Sequence, residues 1–202
     1  MEVSNCFPVS FYSFTNPEIS EAVNIKLASE PNGISHNYPS LNQTYNQELH
    51  KDPSWKFLVD WVNLCLQEIQ DYEIHDQNFG KIKISRMWAN ISLAGSGGGH
   101  SVHRHPNSLW SGIIYISEGA DTKFLDPVYA RSLSSIEIPI VNNFDRLTIT
   151  PKQGLMVIFP SYVQHYTDGH YGNATNYYFI QHIARKIHCW ICRVNKCKAR
   201  WP

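Results

Sequence analysis

The hydrophobic period of this chain changes once, near Lys81, and that change limits the folds open to it. Before it, apolar residues recur at helical spacing. Asn16-Pro17-Glu18 reads as an N-cap with proline at the first helical position, followed by Ile19, Ala22, Val23 and Leu27 on one face. Asp52-Pro53 opens a second helix whose stripe is Trp55, Leu58, Val59, Val62, Leu66 and Ile69, predicted to run to about Tyr72. Between them lies a polar stretch, Glu30 to Gln47, broken by Pro31, Gly33 and Pro39 and read as a loop.

After Lys81 the pattern alternates with period two. Strands are predicted from Lys81 through Asn90, at Ser111–Ser117, around Thr122–Leu125, at 136–141 pairing with 146–150, at Leu155–Phe159 and at Thr175–Ile183. Helices first and many short strands after them predict an α+β chain with a double-sheet jelly roll as its β-core. The expected division is one domain over 1–184, with its helical part at about 16–72 and its β-core at about 81–184. A basic tail follows at 185–202.

The stretch GSGGGHSVHRHPNSLW places His100, His103 and His105 within six residues. His103 and His105 are two apart, so on extended backbone both imidazoles face the same way. His165 follows the strand-like run GLMVIFPSYVQ. Two imidazoles on one face and a third from a distant strand make a metal site with open positions, the geometry of non-haem iron chemistry. The ordinary alternative is a set of loop histidines without a metal. His100 is near enough to replace one of the three. Gly95 to Gly99, with four glycines in five residues, either brings backbone close to the ion or makes a turn. Metal occupancy is expected to fall below pH ~6 as the imidazoles protonate.

Charge excludes some functions. Lys+Arg and Asp+Glu are both 17, for a formal net charge of zero, so no global field draws the chain to nucleic acid or an anionic membrane. The opening MEVSNCFPVSFYSF lacks a basic segment followed by an apolar one, and no apolar run is long enough to span a bilayer. The expectation is a cytoplasmic protein with five free cysteines. The tail ARKIHCWICRVNKCKARWP carries six basic residues and no acid. Its Cys189-x-x-Cys192 is a weak zinc signal, and a basic arm that touches nucleic acid or a partner nonspecifically is the simpler reading.

Taken together, several motifs resemble one family. Trp88-Ala89-Asn90, a glycine-containing loop, H-x-H-P-N-S, S-G-x-x-Y-I, the turn Phe124–Pro127 and G-L-M-V-I-F-P-S-Y-V-Q-H resemble the 2-oxoglutarate and iron(II)-dependent oxygenases of marine bacteria and phages. These are distantly similar to prolyl 4-hydroxylases. Phe7-Pro8 and the two helices fit as well, so the resemblance covers residues 7–183. It implies a hydroxylase that uses molecular oxygen on an unidentified substrate, with His103 and His165 as the first and distal metal ligands.

Two departures follow from the resemblance. Most such oxygenases carry an acid two positions after the first ligand, where this chain has His105. A three-histidine site is less negative, so it should bind the ion less tightly and leave it a stronger Lewis acid. Asp126 is an acidic alternative, although Asp-Pro readily starts turns. The arginine that holds the distal carboxylate of 2-oxoglutarate in the family is replaced here by Asn176, which cannot neutralise that charge. Lys123 is the first candidate to substitute. Arg185 lies nine positions late, and Arg104 points away from the ligands. Tyr115 and Tyr178 could add hydroxyl contacts and Asn90 an amide. The 30–47 loop is a candidate substrate loop. Two rivals remain: a metal-binding jelly roll that does not turn over 2-oxoglutarate, and a non-catalytic phage accessory or interaction protein.

Overall fold

A computed structural model describes residues 9–75, 80–128 and 146–185. Ten strands and two helices are present among them. The helices are α1 (Pro17–Leu27) and α2 (Lys56–Glu73), and the strands are β1 (Tyr12–Thr15), β2 (Asn32–Ile34), β3 (Asn42–Thr44), β4 (Ile82–Ser92), β5 (Trp110–Tyr115), β6 (Thr122–Leu125), β7 (Arg146–Ile149), β8 (Leu155–Pro160), β9 (His165–Thr167) and β10 (Asn176–Arg185). Asn16 caps α1 as its spacing predicts: its Oδ1 accepts from the Ile19 amide at 3.1 Å, and Pro17 begins the helix. Asp52 opens a short 3-10 turn, Pro53–Trp55, that runs into α2.

The strands form two antiparallel sheets, one of seven strands in the order β1-β8-β5-β10-β4-β3-β2 and one of three, β7-β6-β9. The helices cover the outer face of the large sheet. Val23, Leu27, Leu58, Val62, Leu66 and Ile69 pack there against Ile84, Met87, Ile114, Met156 and Phe179. Each such side chain contributes about 1.5–3 kcal/mol when fully buried. The inner face of the large sheet meets the small sheet through Ile113, Tyr115, Val157, Phe159, Tyr178 and Ile180 against Phe124. Strands β5, β8 and β10 are therefore covered on both faces. That explains why their sequences are almost continuously apolar rather than alternating.

Two expectations change. The stretch 30–47 is not a plain loop: β2 and β3 form a hairpin that extends the large sheet next to β4, with Asn42 opposite Ile91 and Gln43 opposite Asn90. Asparagine and glutamine disfavour strands locally, but edge pairing satisfies their backbone and overrides that preference. Strand β7 pairs with β6, Thr122 standing opposite Ile149. The expected partner at 136–141 lies outside the described residues, as do Phe7-Pro8 and the basic tail. Of the five cysteines, Cys65 is described, as a buried free thiol. Among the described residues no helix is long and apolar enough to cross a membrane.

Candidate metal centre

The histidine segment is fastened to the strand that carries the distal histidine. His103 and His165 exchange both backbone hydrogen bonds, each at 3.0 Å, as an isolated antiparallel bridge. Thr167 donates its amide to the His100 carbonyl, His170 donates to Gly98, and His105 donates to Ser161. The polypeptide from 97 to 105 is thus laced along 161–170. The glycines serve this backbone packing. A Cβ on Gly98 would lie 2.3 Å from the Ser40 carbonyl oxygen, and one on Gly99 would lie 2.7 Å from that of Asp168. Gly95 and Gly97 sit at φ 66° and 67°, a region open to glycine at no steric cost.

This lacing brings His103, His105 and His165 together, with one ligand atom from each lying within 4.8 Å of the others. The ring centroids of His103 and His165 are 4.3 Å apart, and those of His103 and His105 are 5.1 Å apart. Hydrogen bonds set the tautomers. His103 Nδ1 is 2.8 Å from the Ser101 carbonyl and His165 Nδ1 is 3.1 Å from that of Val163. A carbonyl only accepts, so both rings carry the proton on Nδ1 and leave Nε2 as a bare lone pair. His105 Nδ1 is 2.8 Å from Ser111 Oγ, which is itself 2.7 Å from Ser161 Oγ. This is the arrangement in which a metal-binding imidazole is oriented through its other nitrogen. The Nε2 of His165 is buried without a partner, which a metal ion would relieve.

Burial keeps the rings neutral. It pushes His165 down to about 3 and His105 to about 2, with the neighbouring histidines adding to the depression. His103 is lowered as well, chiefly by burial. Neutral imidazole is the form that binds a metal. His100, the fallback ligand, is not one of the three residues whose ligand atoms cluster. Its Nδ1 is 2.8 Å from Tyr178 Oη, and the Tyr38 ring meets it edge-on at 4.3 Å. Tyr38 comes from the β2–β3 connection, so the 30–47 segment does reach over the histidines. Asp126 is not part of the cluster. Its Oδ1 accepts from the Val128 amide at 2.8 Å, as a turn former's does.

Beside the histidines lies a pocket lined by Gly98, Tyr115, Ala120, Thr122, Thr167, Asp168 and Tyr178. Tyr115 donates to Thr122 Oγ1 at 2.7 Å. Burial raises the pKa of both tyrosines, so each hydroxyl keeps its proton and can donate. Asn90 faces the same interior, opposite Tyr178, with its Oδ1 accepting from Gln43 Nε2 at 3.1 Å and its Nδ2 buried and unpartnered. Lys123 is not among the residues that line the pocket, although it pairs with one that does, Asp168: Thr122 and Phe124 on either side of it are buried inward, so strand alternation roots Lys123 on the outer face of β6. No lysine or arginine lines the pocket among the described residues. Arg104 is exposed, as expected. Asn176 and Arg185 begin and end β10, and their side chains lie outside what is described. The alternation that puts Lys123 outside is already implicit in T-K-F-L, where Thr122 and Phe124 share one face and Lys123 takes the other. His182, by contrast, carries no motif, yet its ring lies 4.5 Å from that of His105.

Three imidazoles pinned inside a β-sandwich that carries helices on one sheet are a donor set that fits a non-haem metal ion. A family model described as "Putative 2OG-Fe(II) oxygenase" matches residues 86–176, the segment holding the three clustered histidines and the pocket. The matched segment resembles the 2OG-Fe(II) oxygenases, and the chain is an oxidoreductase enzyme with iron and 2-oxoglutarate as its cofactors. The fold is similar to HygX from Streptomyces hygroscopicus, solved with nickel and 2-oxoglutarate bound, at TM-score 0.65 and 7% identity over 89% of this chain and 84% of that one. It is also similar to a Pseudomonas putida prolyl-4-hydroxylase, at TM-score 0.61 and 8% identity over 89% and 94%. An oxidoreductase of the 2OG-Fe(II) oxygenase family from Burkholderia pseudomallei matches at TM-score 0.61 and 10% identity over 87% and 84%. At these identities the likeness concerns the fold. No curated protein sequence matches.

Proposed function

We propose that this chain is an iron(II)- and 2-oxoglutarate-dependent dioxygenase that hydroxylates a C–H bond of a substrate, with His103, His105 and His165 holding the metal through Nε2. The observation that carries the reading is the convergence of three imidazoles, one ligand atom of each lying within 4.8 Å of the others, whose Nδ1 atoms are all hydrogen-bonded. The metal and its cosubstrate supply the oxidising chemistry. The chain's own residues orient and shield. Ser111 and Ser161 fix His105, the backbone bridge fixes His103 against His165, and Phe124 and Phe159 pack on His165 at 5.5 and 4.9 Å and exclude water.

The pocket beside the metal takes the distal carboxylate of 2-oxoglutarate. The Tyr178, Thr122 and Thr167 hydroxyls supply the hydrogen bonds there, with Tyr115 directing the Thr122 hydroxyl inward by donating to its Oγ1. Asn90 contributes an amide donor from β4. Tyr38 covers His100 at the rim. One observation favours a second reading, in which the chain binds metal without turning over 2-oxoglutarate: no described cation lines the pocket.

Anaerobic iron(II) titration with and without 2-oxoglutarate separates the two. The first reading expects a weak visible charge-transfer band only when both are present, together with succinate formation in air. Under the second, iron raises the melting temperature and 2-oxoglutarate changes nothing. If chelators leave the melting temperature of the protein as isolated unchanged and iron does not raise it, neither reading stands. Lys123→Ala is expected to leave 2-oxoglutarate affinity within about twofold, because that ammonium belongs to the outer face.

A further inference from the structure

We infer that Arg86, Trp88 and His182 form a recognition wall for an oxyanion carried by the substrate, a carboxylate or a phosphate. The inference rests on the oxygenase reading and deepens it by naming the chemistry of the substrate. Along β4 and β10 the register sets Arg86 opposite His182, Trp88 opposite Ile180 and Asn90 opposite Tyr178. All six therefore share the inner face, where Trp88, Ile180 and Tyr178 pack together. Tyr178 and His182 are four residues apart, about 13 Å along the strand. The wall is thus removed from the tyrosine pocket and adjoins the metal ligands on another side. The His182 ring lies 4.5 Å from that of His105, and the Trp88 ring meets His182 edge-on at 5.1 Å.

Two buried nitrogens on this wall have no partner, Trp88 Nε1 and His182 Nε2. An indole N–H can only donate. Left unmet, each such group costs about 1–3 kcal/mol, so native proteins retain them where a ligand completes them. His182 is not one of the three residues whose ligand atoms cluster, so its nitrogen is available to something other than the metal. At the rim, the Arg86 guanidinium lies over the Trp88 ring at 5.9 Å and donates to the neutral Gln47 Oε1 at 2.6 Å. It makes no salt bridge among the described residues, and Glu48, the acid near it, is taken by Lys51. An inward indole donor, an imidazole nitrogen that donates in one of its tautomers, an arginine that makes no salt bridge among the described residues and an adjacent cation site favour a ligand that brings acceptor oxygens and negative charge. The neighbouring aromatic rings favour an apolar body behind that charge.

The test uses the full chain loaded with nickel(II) and 2-oxoglutarate, so that no turnover occurs. Binding of benzoate, phenyl phosphate and neutral benzyl alcohol is measured by calorimetry or ligand-observed NMR. The wall predicts that at least one anion binds about tenfold or more tightly than benzyl alcohol, and the stronger of the two tells carboxylate from phosphate. Arg86→Gln and His182→Phe should each bring the anion-to-neutral ratio towards one while leaving nickel and 2-oxoglutarate affinities within about threefold. A structural role for either residue would not move that ratio. If the unaltered protein binds nickel and 2-oxoglutarate but shows no preference for anions, or if both variants keep the preference, the wall is refuted and the oxygenase reading stands. If nickel or 2-oxoglutarate fails to bind at all, both fall.

Discussion

Acid should destabilise the metal-free protein through its buried histidines, by an amount that the structure sets. His100, His105 and His165 are 8%, 7% and 2% exposed, and burial holds them at about 3, 2 and 3 against the usual 6.5. The unfolded chain therefore binds protons first as pH falls through 6.5, while the folded chain does not. Stability is full above that value and is lost progressively down towards the folded values. The size between pH 7.5 and 5.5 depends only on the folded rings staying neutral throughout. Each contributes RT ln(1 + 10^(6.5 − pH)), almost nothing at the upper pH and a little over ~1 kcal/mol at the lower. Three rings give a loss of about 4 kcal/mol, a large part of a typical domain's total. His182, lowered to about 4, acts in the same direction.

The assay is urea unfolding of the chelator-treated protein at the two pH values, read as ΔG from the linear extrapolation. His165→Leu should flatten the pH dependence by about 1 kcal/mol whatever it does to stability at pH 7.5. Stability that is level from pH 7.5 to 5.5 would refute the reasoning. It would mean that the rings take protons in the folded state and hence face water. The same burial modifies the expectation that metal is lost simply by ligand protonation below pH ~6. The folded site stays neutral further down, so acid releases metal mainly by unfolding the chain.

Ser111→Ala should lower nickel or iron affinity by about 10–100-fold in a calorimetric titration, because it removes the oxygen that orients His105 and strands Ser161 Oγ. Unchanged affinity would show that His105 is held by packing alone. Gly98→Ala should destabilise the protein by about 1–3 kcal/mol in the same urea assay, since the new Cβ would sit 2.3 Å from a backbone oxygen that cannot swing away. A neutral result would show that the histidine segment is loosely laid on 161–170.

Much of the architecture could be read from periodicity. Helix α1 begins at the proline after its asparagine cap, and α2 ends at Glu73, one residue beyond the expected end. Strands β4, β5, β6, β8 and β10 fall where alternation or an apolar run placed them. The β2–β3 hairpin could not be read, because its asparagines and glutamines become strand only by pairing with β4. Nor could β1, a four-residue strand defined by its ladder to β8. In the site, His103 and His105 were legible from their spacing and His165 from its position after a buried strand. Lys123 was read from its charge, and strand parity, which roots it on the other face from Thr122 and Phe124, was not weighed. His182 was illegible, since nothing in Y-F-I-Q-H ties it to a residue 77 positions earlier.

The amino-acid sequence by itself determined which side chains are able to act: three imidazoles at ligand spacing, and apolar runs long enough for a sandwich. These are local facts, and hydrogen-bonding valence and hydrophobic period carry them without any partner. Tertiary structure decided which way each side chain faces and what meets it. It paired Lys123 with Asp168, brought three imidazoles with hydrogen-bonded Nδ1 atoms together, and left Trp88 and His182 with buried nitrogens unmet. Strand register and burial are properties of paired segments far apart in the chain, so no reading of either segment alone contains them.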